Sequence, residues 1–195
     1  YDNAGFSGDT VTTAEAGKTY YAKWAERQLS RIEVTAKNAT VPYNTVLSAD
    51  DFTVTAAYDN GEKEEVTGYT ISPTTALTTL GENTVTVTYQ GKTADCAITV
   101  VKATQTAPVA PTLKTSDYTS ITLNAMANNT TGAKAEYSKD GGKTWQASPE
   151  FTGLTAGTTY TFSVRYAETD TYAASAASTT AEFSTLRHSS SSSSS

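Results

Sequence analysis

Apolar and polar residues alternate with a period of two in several short stretches of the first half of the chain, which is typical of half-buried β-strands. Four stretches carry the pattern: residues 31–36, 52–58, 84–89 and 94–100. Asn60-Gly61 follows the second stretch and Gln90-Gly91 joins the last two, which predicts a tight hairpin turn at each place. Short strands separated by turns at regular spacing predict a β-sandwich.

The same alternation returns at residues 121–125 and 133–137, which predicts a second small sandwich. Between the two regions lies a stretch without alternation that leads into Pro108 and Pro111, and we expect it to be an extended, semi-rigid linker. The predicted division of the chain is therefore a β-rich segment at 1–28, a first sandwich at 29–102, a linker at 103–108, a second sandwich at 109–186 and a Ser-rich tail at 187–195.

Composition supports an all-β fold and excludes several functions. The chain has 195 residues, 12 Tyr, one Cys, one His and a formal charge of -6. Its abundant Thr and Tyr favour strands over helices. One Cys permits neither an intrachain disulfide nor a Cys-based zinc site, and the acidic balance argues against a nucleic-acid partner, because phosphate binding needs clustered Lys and Arg.

The start of the chain and the length of its apolar stretches indicate where in or outside the cell the protein is located. No apolar run approaches the roughly 18 residues that a membrane-spanning helix needs, so we expect no membrane insertion in this segment. The chain begins at Tyr1 without an initiator Met or a signal-peptide pattern. We therefore expect a piece of a longer protein that is extracellular or attached to a bacterial cell wall.

Two segments resemble modules of bacterial surface proteins. The first segment closes with Gly17-Lys18-Thr19-Tyr20-Tyr21-Ala22-Lys23-Trp24, which resembles the end of the Listeria–Bacteroides repeat, a small β-grasp-like unit. The resemblance implies that residues 1–28 are the C-terminal part of such a repeat. Residues 29–102, with Pro42-Tyr43, Asp51-Phe52-Thr53-Val54 and a closing Ile98-Thr99-Val100, resemble bacterial Ig-like domains.

A third resemblance lies in Leu-Thr-Ala-Gly-Thr-Thr-Tyr-Thr-Phe-Ser-Val at residues 154–164. Leu154, Gly157 and Tyr160 have the spacing of a tyrosine corner, in which the Tyr hydroxyl bonds back to the upstream backbone. With the following Tyr-x-Phe-x-Val pattern, residues 109–186 resemble fibronectin type III domains. That family usually has a Trp at the end of its second strand, where this chain has Met126 and no Trp, and we expect Trp145 to fill the volume.

The most specific short motif is Ser138-Lys139-Asp140-Gly141-Gly142-Lys143-Thr144-Trp145, which resembles the Asp-box of sialidase propellers. In such a turn the Asp accepts bonds from backbone N–H groups, a Gly takes positive φ and the Trp folds beneath the hairpin. A propeller needs the motif once in each blade, and here it occurs once. We therefore predict that it staples a hairpin of the second sandwich, with a sialidase fragment as the alternative. The residues concerned are Ser138, Asp140, Gly142, Thr144 and Trp145.

Few residues offer catalytic or metal-binding chemistry, and we predict no catalytic residue, metal site or cofactor. Cys96 alternates with apolar residues, which favours a buried small hydrophobe over a reactive thiol. His188 adjoins the Ser tail, which cannot orient a catalytic base. Asp50-Asp51 is expected to cap a turn. Glu62–Glu65 is expected to form a solvated sheet edge, the alternative being a cation site, which needs about six convergent oxygens.

Two ligand or cross-link hypotheses remain open. Tyr rings outside the core could stack on sugars, or they could fill thin cores with their hydroxyls in water. The Tyr residues concerned are Tyr20, Tyr58, Tyr69, Tyr118, Tyr166 and Tyr172. A buried Lys–Asn isopeptide, known in related surface domains, would have to use Lys134, the one Lys near an apolar strand centre.

These features together predict a non-catalytic spacer in a larger bacterial surface or secreted protein. Its partners would be the neighbouring domains of the same chain, which it holds in position. The alternative is a carbohydrate- or host-glycoprotein-binding, adhesin-like module appended to an enzyme or a surface protein. An enzyme has no support beyond the single Asp-box.

Overall fold

The computed structural model describes residues 15–19 and 26–189. These residues form strands, one 3-10 helix at Ala49–Asp51 and no α-helix, so the predicted all-β class is confirmed. The strands up to residue 101 are β1 (Leu29–Ala36), β2 (Thr40–Pro42), β3 (Phe52–Tyr58), β4 (Lys63–Val66), β5 (Thr70–Ser72), β6 (Gly81–Tyr89) and β7 (Lys92–Val101). The later strands are β8 (Leu113–Ser116), β9 (Ile121–Leu123), β10 (Ala135–Ser138), β11 (Glu150–Phe151), β12 (Thr159–Tyr166) and β13 (Ala181–Ser184).

The chain divides into two compact units. Unit 1 comprises the described residues up to Lys37 together with Ser48–Ser72 and Val85–Cys96. Unit 2 comprises Asn38–Leu47, Pro73–Thr84 and the described residues from Ala97 onward. Unit 2 therefore includes parts of the predicted first sandwich as well as the predicted second one. The five predicted segments stay a prediction, and the tail of the Listeria–Bacteroides-like repeat lies largely outside the described residues.

Unit 1 is built around the antiparallel sheet β1-β3-β4. The alternation predicted at residues 52–58 is observed, because Phe52, Val54 and Ala56 are buried while the Thr residues between them are half-buried. Gly61, at a φ of 85°, makes the turn into β4. β4 is the edge strand and exposes most of the acidic run, which confirms the predicted solvated edge.

A second sheet has the strand order β2-β7-β6-β5. Gln90 and Gly91 both take positive φ in the turn between β6 and β7, as a two-residue hairpin requires. Burial in β7 increases with distance from this turn: Ile98 and Val100 are buried, whereas no residue of Lys92–Cys96 is. The prediction that Cys96 is buried is therefore wrong, since the residue is only half-buried.

Two three-stranded sheets of unit 2, β11-β9-β8 and β10-β12-β13, contribute to one apolar core. Side chains from both sheets interdigitate there, as in a β-sandwich. Within each sheet the neighbouring strands are antiparallel, and the backbone N–H groups of Val164 and Tyr166 in β12 bond to the hydroxyls of Ser178 and Ser175. The core residues are Ile121, Leu123, Ala135, Tyr137, Phe151, Leu154, Phe162 and Val164.

The strand predicted at residues 121–125 is shorter than expected. β9 ends at Leu123 and Ala125 is exposed, although the backbone N–H of Asn124 still bonds to the carbonyl oxygen of Thr112, in register with the Leu113–Leu123 pair. Met126 donates its N–H to the hydroxyl of Tyr137 at 2.7 Å and packs against the core. Trp145 does not fill the volume as we predicted, because it is half-buried outside this core.

Lys134 precedes β10 and is exposed. An isopeptide of the kind considered from the sequence needs a Lys in an apolar interior, where its amine is desolvated and neutral. Lys134 is exposed and therefore does not meet this requirement.

Candidate functional site

The Asp-box residues lie together in the loop that follows β10. The Asp140 carboxylate accepts hydrogen bonds on Oδ1 from the backbone N–H groups of Lys143 and Thr144, both at 2.9 Å, and from the Ser138 hydroxyl at 2.7 Å. Its Oδ2 accepts the Thr144 hydroxyl at 2.6 Å. The hydroxyl of Ser138 also accepts the N–H of Gly142 at 2.8 Å. The polar side chains of the motif thus bond mainly to one another and to the backbone of the same turn.

These donors hold the pKa of the Asp140 carboxyl well below its usual range. The largest contribution is the hydrogen bond from the Thr144 hydroxyl, followed by the Thr144 backbone N–H and the Ser138 hydroxyl. A carboxylate held by several donors is stabilised in its charged form and is a poor proton acceptor for catalysis. The geometry is that of a turn staple.

Gly142 and Trp145 explain the rest of the motif. Gly142 has a φ of 93°, and a Cβ added there would lie 3.3 Å from Cζ2 of the Trp145 ring. The turn therefore needs glycine both for its backbone and for the closeness of the indole. The guanidinium of Arg165 lies over the Trp145 ring at 4.5 Å, so the outer ring face packs against a cation from β12.

The residues of the predicted tyrosine corner lie at the start of β12. The Tyr160 hydroxyl accepts the backbone N–H of Thr155 at 2.9 Å, and Leu154 is part of the core. Gly157 has a φ of 65° and donates its N–H to the carbonyl oxygen of Leu186 at 2.9 Å. The corner thus ties the start of β12 to the segment that follows β13.

The predicted linker has contacts that the sequence did not indicate. Ala103 pairs with the loop after β12, donating its N–H to the carbonyl oxygen of Thr171 and accepting the N–H of Ala173. Lys102 forms an ion pair with Glu168 and donates to the carbonyl oxygen of Thr169 at 2.7 Å. The ammonium group of Lys102 lowers the pKa of the Glu168 carboxyl, first by its hydrogen bond and then by its charge.

Gln105 makes the most complete contacts of the linker. Its Nε2 donates to the carbonyl oxygens of Ala167 at 2.9 Å and Ala173 at 2.7 Å. Its Oε1 accepts from Nδ2 of Asn129 at 2.5 Å and faces the Thr131 hydroxyl at 2.9 Å. Gln105 is buried, and all of its amide atoms are satisfied. We call the contacts that Lys102, Ala103 and Gln105 make with the loop after β12, together with those of Gln105 to Asn129 and Thr131, the joint. All of these contacts lie within unit 2.

The Tyr residues do not form a flat patch among the residues that the structure describes. Tyr20 lies outside them, and only Tyr118 is exposed, with its ring stacked on His188 at 4.4 Å. The Tyr69 hydroxyl donates to backbone carbonyl oxygens, and Tyr172 meets Tyr43 edge to face at 5.9 Å within unit 2. Most of these rings are therefore used in packing.

In unit 1, Tyr58 belongs to a charged cluster. Its hydroxyl donates to Glu64, which raises the pKa of the phenol and lowers that of the carboxyl. The guanidinium of Arg27 lies 4.0 Å over the Tyr58 ring and bonds to Glu62 and Glu64. These hydrogen bonds raise the pKa of the Arg27 guanidinium, Glu64 contributing most. The cluster fastens the segment before β1 to the β3–β4 hairpin.

The remaining candidates for chemistry are placed in structural roles. Asp51 accepts the backbone N–H of Ser48 at 2.7 Å and caps the 3-10 helix, so the turn-capping role predicted for Asp50-Asp51 falls to Asp51. His188 contacts a Tyr ring, and no carboxylate among the described residues hydrogen-bonds to its imidazole. Within residues 15–19 and 26–189, no group of His, Cys, Asp or Glu could hold a metal ion. No helix of that part is long and apolar enough to cross a membrane.

With this geometry in view, the chain was compared with known proteins. Residues 34–100 match the family "Bacterial Ig-like domain (group 3)". The match begins within β1 and ends within β7, and it indicates a non-catalytic structural module in this part of the chain. The resemblances of residues 1–28 and 109–186 to other surface modules stay predictions.

The comparison with curated proteins found no match. Among solved structures, the chain is similar to domains A168–A170 of titin, with 12% sequence identity and a TM-score of 0.27. The alignment covers 80% of this chain and 66% of the titin chain, slightly under two thirds of the latter. A likeness at this TM-score supports no statement about function.

Proposed function

We propose that the chain is a non-catalytic, extracellular spacer of a larger bacterial surface or secreted protein, and that it positions neighbouring functional domains. The Ig-like match at residues 34–100 supports a structural module. A spacer must transmit position along the chain, and a segment that connects two modules is where position is lost if it is free to bend. The joint is therefore the observation that carries the proposal.

The joint restricts bending in three ways that reinforce one another. Ala103 adds backbone pairing to the 171–173 loop, Lys102 adds an ion pair beside it, and Gln105 adds buried hydrogen bonds two residues later. Because these contacts are made by residues 102, 103 and 105, they restrict both the direction in which the segment runs and its rotation about its own axis. The ion pair is mostly exposed and contributes little by itself, so the buried amide is the main fixing element.

Distances between spin labels within unit 2 test this fixing. Cysteines introduced at Val46, which is 61% exposed, and at Lys114 would carry the labels in a Cys96→Ala background. We expect one narrow distance distribution, and a clearly broader one after Lys102→Ala and Gln105→Ala are combined. A broad distribution in the protein with an intact joint would contradict the proposal.

The spacer role has its own test in a longer chain. Deleting residues 29–186 is expected to change the distance between the flanking domains and to leave the activity of each on a soluble substrate intact. Loss of that soluble activity would mean that the segment takes part in the chemistry.

The alternative is a carbohydrate- or host-glycoprotein-binding module. The exposed aromatic side chains give it little support, and one groove gives it more. The Tyr rings outside the core are mostly engaged in packing, as described above. A groove beside the joint is lined by neutral polar and apolar side chains, and this groove is the observation that supports a binding role.

A further inference from the structure

A groove of about 550 Å³ lies in unit 2 beside the joint, between the linker and the loop that follows β9. Its volume falls within the range of small-ligand sites, about 300–1,000 Å³. One wall is formed by the linker around Thr106 and Val109, and the other by Met126 and Asn128. The ring of Tyr166, from the end of β12, completes the lining.

The chemistry of the lining is neutral. No charged residue of the described part of the chain lines the groove, although the full sequence carries a net charge of -6. A ligand with a formal charge would lose hydration there without gaining a counter-charge. A neutral ligand has no such cost.

The groove also carries polar groups that have no partner within the described residues. The amide of Asn128, the hydroxyls of Thr106 and Thr130 and the hydroxyl of Tyr166 make no hydrogen bond there. They lie beside C–H-rich surfaces of Met126 and Val109, the latter 76% exposed. Free amide and hydroxyl groups next to an aromatic ring and apolar surface suit a ligand that is rich in hydroxyls on one side and in C–H groups on the other.

The walls are fixed before any ligand arrives. Gln105 holds the linker wall to Asn129 and Thr131 of the opposite loop, at 2.5 and 2.9 Å. Asn129 in turn holds its own loop, because its Oδ1 accepts the backbone N–H groups of Thr131 and Ala133, both at 3.0 Å. A preformed site loses less conformational entropy on binding than a mobile one.

We propose that this groove binds a neutral pyranose oligosaccharide. The hydroxyls of the sugar would meet Asn128 and Thr130, and the C–H face of one ring would meet Tyr166. A peptide is the less suitable occupant, because neither wall is the edge of a strand that could pair with an extended backbone. This proposal does not depend on the spacer role, since a spacer can carry such a groove or lack one.

The test uses four neutral hexasaccharides as probes: cellohexaose, mannohexaose, xylohexaose and maltohexaose. Titrations followed by calorimetry and by amide NMR shifts are expected to show binding of at least one of them, with shifts at the Asn128 side chain and around Tyr166. Asn128→Ala removes an exposed amide that makes no hydrogen bond to the described residues, so we expect the variant to fold. It is expected to weaken binding by about tenfold, the effect of one well-placed hydrogen bond.

Controls separate this site from general stickiness. Thr130→Val should weaken binding while keeping the side-chain volume, and Tyr118→Ala, at the exposed ring elsewhere in unit 2, should leave it unchanged. The proposal is overturned if none of the four hexasaccharides binds, if Asn128→Ala and Thr130→Val leave binding unchanged, or if oligogalacturonate or a neutral peptide binds in their place. None of these outcomes bears on the spin-label distance between positions 46 and 114, which tests the spacer role separately.

Discussion

Replacing Gln105 by Ala tests whether the joint stabilises unit 2. The substitution removes two hydrogen bonds to the carbonyl oxygens of Ala167 and Ala173, and it removes the acceptor of Asn129. The Thr131 hydroxyl has one proton and also lies 2.6 Å from Oδ1 of Asn129, so it keeps a partner. Three bonds are therefore lost in full.

The expected magnitude follows from these contacts. Each hydrogen bond contributes a net of about 1 kcal/mol, and a carbonyl left buried without its donor costs about 1–3 kcal/mol. The part of the joint near solvent can regain water, which places the expected loss for unit 2 at about 2–4 kcal/mol. With an m-value of about 2 kcal/mol/M in urea, the midpoint should fall by about 1–2 M.

Urea titration followed by tryptophan fluorescence measures the loss. Because the chain has two Trp, a Trp24→Phe background leaves Trp145 as the reporter, and Trp145 belongs to unit 2. Gln28→Ala is the matched control, since Gln28 is exposed and its side chain makes no hydrogen bond to any residue that the structure describes. An equal midpoint for Gln105→Ala and the control would refute the reasoning.

The isosteric change Gln105→Glu sharpens the test. It keeps the shape of the side chain but turns an oxygen toward the two carbonyl oxygens of Ala167 and Ala173, which raises the pKa of the introduced carboxyl in the folded state. The folded state then binds the proton more tightly than the unfolded state, so the variant should be weakest near neutral pH and recover part of its stability on acidification. No recovery would mean that the amide donors are not the source of the effect.

Three further predictions concern the turns of unit 2. Tyr160→Phe should lower its unfolding free energy by about 1 kcal/mol, whereas Tyr118→Phe should have no effect in the same urea titration, because the Tyr118 hydroxyl bonds to none of the described residues. Asp140→Asn should lower the melting temperature at neutral pH, and because the folded pKa of Asp140 is depressed, the difference from the unaltered chain should shrink as the pH falls below about 4. Gly157→Ala should cost about 1–2 kcal/mol, since its φ of 65° is unfavourable for Ala and the new methyl would displace the Arg187 side chain; an unchanged midpoint would contradict this.

The strands with clear alternation were predictable because a pleated strand that buries one face has a period of two. β3 begins and ends where residues 52–58 suggested, and its neighbour β1 includes the predicted residues 31–36. β9 was overestimated because alternation reports which side chains could share a face, and it does not report where the backbone leaves the ladder. Here the N–H of Asn124 still bonds to the carbonyl oxygen of Thr112, the residue before β8, and Ala125 beyond it is exposed.

The Asp-box could be interpreted from the sequence because the bonds of the Asp140 carboxylate join residues within a few positions of one another. Asp140 bonds to Ser138, Lys143 and Thr144, and the turn that allows this is encoded by Gly142. The expectation for Trp145 failed at the step that was not local. Its ring is half-buried outside the core and lies beneath the guanidinium of Arg165, a residue of β12 that is distant from it in the sequence.

The joint was missed for a related reason that also bears on its function. Gln105 finds its acceptors 62 and 68 positions further along the chain, and both are backbone carbonyl oxygens, which every residue possesses. A contact of this kind has no residue pattern at either end, so a linker held rigidly and a linker left free can have the same composition. The stiffness of such a linker therefore cannot be predicted from its prolines alone. It depends on whether a buried amide in the linker bonds to backbone carbonyl oxygens elsewhere in the chain. The Gln105 variants measure the contribution of these bonds.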